Sequence, residues 1–503
     1  MPPILLLVLL HADPLHARMD ALIEAGGKPV SAPADDGEFL RRAYLDLAGT
    51  VPDAKAVRAF LDGKDVASRA KLIDTLLASP EHPARMADLF HVHLMERMGD
   101  NAAWSAYLRD VFAKNRPWDE VSREMLAGKG GASFWMTKRL ENYGQNPVDH
   151  AALARDVGRL FLGKDLRCAQ CHDHLFIRDY KQADFQGLFA FVQNAYLSTG
   201  QLGEKPVTAR TEFISVFGSK GRQLTGPRVP GGMEVVVPVF EKGKEWLTPP
   251  EPRKKVIGVP RFSPLAEMAR DVPASPAFAR NFVNRLWWAL MGRGIVHPLD
   301  LHHAGNPPSH PALLDLLAKE FVEHKHDVRW LLREIALTRA YQRSSRLPEG
   351  AKADPAGFRT ALEKRLSAEQ MLAATLEATG MREALKPGPA LTAARLKFMK
   401  AFTGPAREPE EEPTAALKSA LFWLNDPLVQ NWLAGPLVER LAKLGDGEAA
   451  EQLYLAVLTR RPDADEAAET RKALTGKTGP ARVAVARRLA WALLASAEFN
   501  INH

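Results

Sequence analysis

The chain carries two cysteines in 503 residues, and they fall together as Cys168-Ala169-Gln170-Cys171-His172. Two thiols three positions apart can each close a thioether onto a porphyrin vinyl group. The adjacent histidine is then placed to bind the iron from one face, which is the spacing of c-type haem attachment. Cysteines and a histidine placed at random would reach this pattern with odds on the order of one in ten thousand. The pattern predicts one covalent haem c, anchored by Cys168 and Cys171, with His172 as proximal ligand. Two other chemistries use the same atoms. Cys168, Cys171, His172 and His174 form a nominal zinc set, although neighbours this close in sequence strain a tetrahedron. A disulfide or free thiol pair is the third, but thiol redox motifs sit in a thioredoxin-like βαβ setting and the flanks here read as helix.

His174 is too near His172 along the chain to reach the opposite porphyrin face. It reads as a haem-edge or propionate contact or a proton donor, and equally as a turn histidine capping backbone. A distal ligand must come from elsewhere, and Met95, Met98, His91, His93 and His150 are the candidates. Methionine opposite histidine raises the potential towards electron transfer, a second histidine lowers it, and an open position admits oxygen or peroxide chemistry. Further along stand His297, His302, His303 and His310, with Asp300 and Asp315 nearby, and His302-His303 beside Asp300 could bind a metal or a sugar. Trp287-Trp288 can stack on sugar rings, with buried packing as the default. Asn306-Pro307-Pro308-Ser309-His310 predicts a turn feeding a helix, with Ser309 as N-cap and Pro311 at the first helical position.

The elements that must hold these groups read as mainly α. Apolar residues recur at helical spacing from Asp36 to Leu47, and again over 68–77, 82–98, 104–115, 118–127, 148–162 and 183–194. The helix over 148–162 delivers the chain into the cysteine motif. From about residue 205 the pattern changes: Thr211–Phe217 and Met233–Phe240 are rich in β-branched residues and bounded by Gly and Pro, which predicts a small β-rich insertion. Helices resume at Pro264. The expected organisation is a signal segment over 1–17, a helical haem-bearing domain over 35–198, a β-rich insertion over 199–262 and a second helical domain over 263–503.

A hydrophobic fraction of 46% and a charged fraction of 25% are ordinary for a globular protein. The net charge of +7 is spread over helix faces, and no basic stripe with a reading element points to nucleic acid. Thioether attachment takes place outside the cytoplasm. The opening run Ile4–Leu10, followed by Ala12 and Ala17, reads as a short export signal, which predicts a periplasmic or secreted protein. No other stretch is long enough to span a bilayer.

The chain resembles a paired architecture of planctomycetes and their relatives, a cytochrome-like domain of unknown function followed by the planctomycete-specific domain of unknown function. The first part is similar at Phe39–Gly49, Val51-Pro52 and Gly163–His174. The second is similar at Phe278–Trp287, Gly292-Arg293-Gly294, Asn306–His310, Tyr341–Ser345, Trp491–Leu494 and Glu498-Phe499. The resemblance implies an extracytoplasmic haem protein and an association with secreted sulfatase-like hydrolases and polysaccharide use; the haem reading itself adds the expectation of a redox partner protein. There are two departures: Leu175 stands where the family usually has proline, and 82–100 carries fewer tryptophans than usual. Three roles follow as expectations: an electron carrier with a filled sixth position, an oxidase- or peroxidase-like enzyme with an open one, or a carbohydrate-binding scaffold whose haem is structural.

Overall fold

The computed structural model describes residues 13–25, 27, 30–63, 65, 67–142, 148–217, 221–407 and 417–503. It is mainly α, as the periodicity predicts, with small two-stranded antiparallel sheets. Local chemistry starts the helices where the sequence places them. The Asp35 side chain accepts from the Glu38 amide to open Asp36–Leu47, and Asp149 accepts from Ala152 to open His150–Leu162. Pro311 does begin Pro311–Glu323, but the N-cap is His310 rather than the expected Ser309. The Ser309 amide is drawn away to the Ile295 carbonyl at 2.8 Å, which holds that residue in the preceding turn.

Two hydrophobic cores divide the molecule. The first gathers Met19 and Ile23, the helices around Phe90, Trp104, Trp135 and Val157, and the later helices carrying Phe282, Trp287, Leu317 and Ile335. The second gathers Met371, Phe398, Trp423, Leu437, Leu455, Ala490 and Phe499. Helix Asp36–Leu47 serves both. Phe39, Ala43 and Leu47, four residues apart, face the first core, while Leu40 and Leu45 face the second. Its arginines are therefore buried too, and their charges are met by backbone carbonyls and, for Arg42, by the Glu38 carboxylate. Arg41 donates to the carbonyls of Val457 and Phe499, and Arg42 to those of Tyr341 and Arg343 and to Glu38. Ahead of this helix, Leu15–Glu24 docks on the first core through Leu15, Met19 and Ile23. Residues 1–12, which hold most of the expected signal, lie outside the described residues.

The β-rich insertion is smaller than its composition suggests. Ala195–Ser198 pairs with Gln201–Glu204, Thr211–Phe213 with Gln223–Thr225, and Trp246–Thr248 with Val259–Pro260. Residues 233–240, expected as a strand, form none. Pro238 removes a ladder donor, and the side chains of Val236 and Val239 stand in solvent without a sheet to pack on. Among the described residues no helix is long and apolar enough to cross a membrane.

Between the cores lies a buried carboxylate. Asp46 accepts from Lys364 Nζ at 2.7 and 2.8 Å, from the Tyr341 hydroxyl at 3.0 Å and from Asn502 Nδ2 at 2.8 Å. Removing one member of a buried pair strands its partner charge, so Asp46→Ala is expected to lose about 3–5 kcal/mol of stability. Urea titration against the parent protein checks this.

Candidate functional site: the cysteine turn

The site starts at the end of helix His150–Leu162, whose Leu153, Val157 and Phe161 are buried. Gly163 ends it at φ 68°, where a Cβ would meet His302 Cδ2 at 2.6 Å and Asn281 Oδ1 at 2.9 Å. Only glycine fits this left-handed turn against that neighbour. The next residues are zipped to a loop far along the chain. The His302 amide donates to the Gly163 carbonyl at 2.9 Å, and the Asp165 amide to the Asp300 carbonyl at 2.8 Å. A single 3-10 turn, Cys168–Gln170, then presents the motif. Ala169 is buried as its foot, and Cys168 and Cys171 are both exposed and free.

Side chains from helix Gln182–Val192 and from helix His150–Leu162 clamp this turn. Gln186 Nε2 donates to the Gln170 carbonyl at 3.1 Å, and Arg155 donates to Gln170 Oε1 at 2.7 Å. The Gln182 amide donates to Asp173 Oδ1 at 2.9 Å. The loop after strand Thr211–Phe213 lies alongside, with the Val216 amide donating to the Cys171 carbonyl at 3.1 Å. It carries an apolar rim into solvent: Val216 is 64% exposed and Phe217 71%, joined on the motif side by Leu175 at 66% and Phe176 at 88%.

His172 Nδ1 lies 2.7 Å from the Asp173 carbonyl. A carbonyl only accepts, so the ring proton sits on Nδ1 and the Nε2 lone pair is left for a metal. The ring stands 4.6 Å from that of Phe217. His174 is used locally: its Nδ1 accepts from the amides of Phe176 at 3.2 Å and Ile177 at 3.0 Å, which is the turn-capping role.

The five distal candidates are held elsewhere. Met95 and Met98 belong to the first core. His91 Nδ1 accepts from Trp104 Nε1 at 3.0 Å. His93 packs 4.9 Å from the Trp288 ring, and His150 Nε2 donates to the Ala195 carbonyl at 2.7 Å. Among the described residues none of the five shares a hydrogen bond or ring contact with the cysteine turn. The structure instead brings His303 to the motif loop. Its ring lies 5.5 Å from buried Tyr180, whose other neighbour is His174 at 6.1 Å. Sequence reasoning placed His303 in a separate site, because the pairing of residues 163–165 with 300–302 is tertiary and leaves no local signal.

The second-half group does not form one site. Asp300 is claimed by Arg159 and Arg285, Asp315 pairs with Arg280, and His310 packs 5.6 Å from Phe358. Trp287 is fully buried, out of reach of a sugar ring. Among the described residues no three His, Cys, Asp or Glu converge as metal ligands.

Sequence reasoning also missed a buried charge cluster beneath the turn. Arg159 meets Glu96 at 2.5 and 2.7 Å, Asp156 at 3.2 Å and Asp300 at 3.1 Å, while Arg139 meets Glu96 and Asp156, both at 2.9 Å. Burial alone raises the Glu96 carboxyl, but the bonds and charges of Arg159 and Arg139 outweigh it and hold the group at about 2. Burial, reinforced by Arg285, pushes His93 and His302 down to about 3. Both histidines are thus neutral in the fold and protonate more readily once it opens. Their stabilisation is complete above the ordinary histidine value and is lost as pH falls below it, by about 1.4 kcal/mol per pH unit for each group. Urea midpoints should therefore drop between pH 7 and pH 5, with Glu96 adding to the loss below about 4.5. His93→Phe should take His93's share, about half of the slope these two histidines contribute, and leave that of His302.

Residues 14–196 match the family PSCyt2, described as a protein of unknown function (DUF1549). Residues 264–397 match PSD1, described as a protein of unknown function (DUF1553). No curated protein and no solved structure matches the chain. The cysteine turn, its clamping helix Gln182–Val192 and the charge cluster's Glu96, Arg139, Asp156 and Arg159 all fall in the first match, while Asp300 and His303 fall in the second. The chain belongs to the proteins that join a PSCyt2 domain to a PSD1 domain, in that order.

Proposed function

We propose that the protein is an extracytoplasmic c-type haem protein working in electron transfer or haem-dependent redox chemistry. One porphyrin is linked to Cys168 and Cys171, and His172 binds the iron through Nε2. One observation carries this reading: two exposed thiols stand on one short turn beside a histidine whose other nitrogen is already committed to the Asp173 carbonyl. The apolar rim of Leu175, Phe176, Val216 and Phe217 supports it, since large side chains of this kind rarely stand together in water without a cover. A zinc site would need His174 as a fourth donor, and its Nδ1 is occupied by two backbone amides. The bound group would supply one-electron chemistry, with a redox partner reaching it at the exposed turn. The chain's own residues orient the imidazole, hold its proton on Nδ1 and keep the thiols accessible for attachment. For export, cleavage after Ala12 leaves helix Leu15–Glu24 whole, whereas Ala17 lies inside it.

A second reading, an enzyme with an open iron position, is favoured by the commitment of all five distal candidates to other contacts. His303, across Tyr180 from His174, is then the residue placed to donate a proton to a bound substrate.

Optical spectra of full-length protein matured in a haem-attaching host test both. A haem band that survives acid–acetone extraction is expected, and His172→Ala should retain that haem while changing its spin state. A reduced spectrum that ignores carbon monoxide supports the carrier, and one that shifts supports the open site. Haem that is fully extracted, or absent, overturns both readings.

A further inference from the structure

A cleft of about 410 Å³ lies between helix Glu81–Met95 and helix Ala368–Thr379, away from the cysteine turn. Arg85 lines it and is 8% exposed. Its Nε donates to the Asp46 carbonyl at 3.2 Å, and among the described residues its terminal nitrogens meet no hydrogen-bond acceptor. The nearby carboxylates are spoken for. Glu369 takes Arg97 at 2.5 and 3.2 Å, and Asp46 takes Lys364. Asp46, Asp88 and Glu369 act on the Arg85 guanidinium through their charge, but among the described residues none of these carboxylates hydrogen-bonds to it, and burial still pulls its pKa below the ordinary arginine value, so its terminal nitrogens leave a place for an anion. The arginine is deliberately seated: its stem crosses Gly49, where a Cβ would come within 2.9 Å of Arg85 Cδ.

One turn further along the same helix face stands Asp88. A single 3.1 Å bond from Arg395 reaches its Oδ1, leaving Oδ2 for a donor. Burial, and the charge of Glu369, push its carboxyl up against the pull of Arg395, which a cation would reverse. Leu376, Leu385 and Leu391 give the lining its apolar part, alongside Glu81 and Arg382, which pair with each other at 3.0 Å. Thr50, whose buried hydroxyl has no partner among the described residues, also lines the cleft.

A guanidinium with no carboxylate bonded to it and a half-met carboxylate three residues apart, in a cleft that three leucines also line, ask for a ligand with the opposite two charges and an apolar tail. We propose that this cleft binds a free α-amino acid with an apolar side chain, its carboxylate on Arg85 and its ammonium on Asp88. The claim is independent of the haem.

Calorimetry on the full-length protein tests it with L-leucine, leucine amide (no carboxylate) and 4-methylpentanoate (no ammonium). Leucine is expected to bind, and each truncated analogue at least tenfold more weakly. Asp88→Asn should weaken leucine about tenfold and leave 4-methylpentanoate unchanged, a readout that a merely unfolded variant cannot produce. Arg85→Lys should weaken leucine and 4-methylpentanoate alike. No leucine binding at millimolar concentration, or binding of both analogues as tight as leucine, overturns the proposal.

Discussion

Arg159 holds together the two stretches of chain that make the site. It sits on helix His150–Leu162, one turn before the glycine that ends it, and its guanidinium meets Glu96, Asp156 and Asp300. Arg139 and Arg285 complete a cluster of three carboxylates and three guanidiniums. Buried charges add little net stability, but breaking one leaves the others unpaired in low dielectric at a cost of about 3–5 kcal/mol. That asymmetry fixes register. With Asp300 held, residues 300–302 zip onto 163–165, and the turn that follows can leave in one direction only. The first-matched and second-matched regions are joined at this point, so the cysteine turn is built on a surface that both supply.

Above that rigid base the chemistry stands in solvent. Thiols that are to be linked to a porphyrin must be reachable, and burying them would defeat attachment. The structure separates the two demands within three residues, with Ala169 as the buried foot and the sulfurs outside. The cost is an apolar rim left facing water, which the proposed cofactor would relieve by covering Phe217 and its neighbours. The orientation of His172 needs no distant partner, because the Asp173 carbonyl that fixes its tautomer belongs to the next residue.

Much of this was legible in the sequence where the signal is local. The helix into the motif was visible from its apolar spacing, while its Asp149 cap and terminal Gly163 emerged with the structure. The cysteine pattern itself and the paired family architecture were visible too, and the turn-capping role of His174 stood as one of two alternatives. What failed to show depends on partners far along the chain. Residues 233–240 have strand composition, but no strand lies beside them, and β-propensity without a neighbour forms no sheet. His303 is brought to Tyr180 only by the pairing around Gly163. Glu96 falls inside the helix expected over 82–98, but that helix stops at Met95 and Glu96 turns left-handed, at φ 43°, and nothing local marks it as buried. The distal candidates on 91–98 were chosen by residue type alone, and the packing of helix Glu81–Met95 spends them on the core.

The central claim is a covalent bond between this turn and a porphyrin, and mass decides it. Intact-protein mass spectrometry of the exported chain should show one added haem, and Cys168→Ser combined with Cys171→Ser should remove it while the protein stays folded. A parent mass equal to the polypeptide alone, with both sulfurs open to alkylation, would contradict the account.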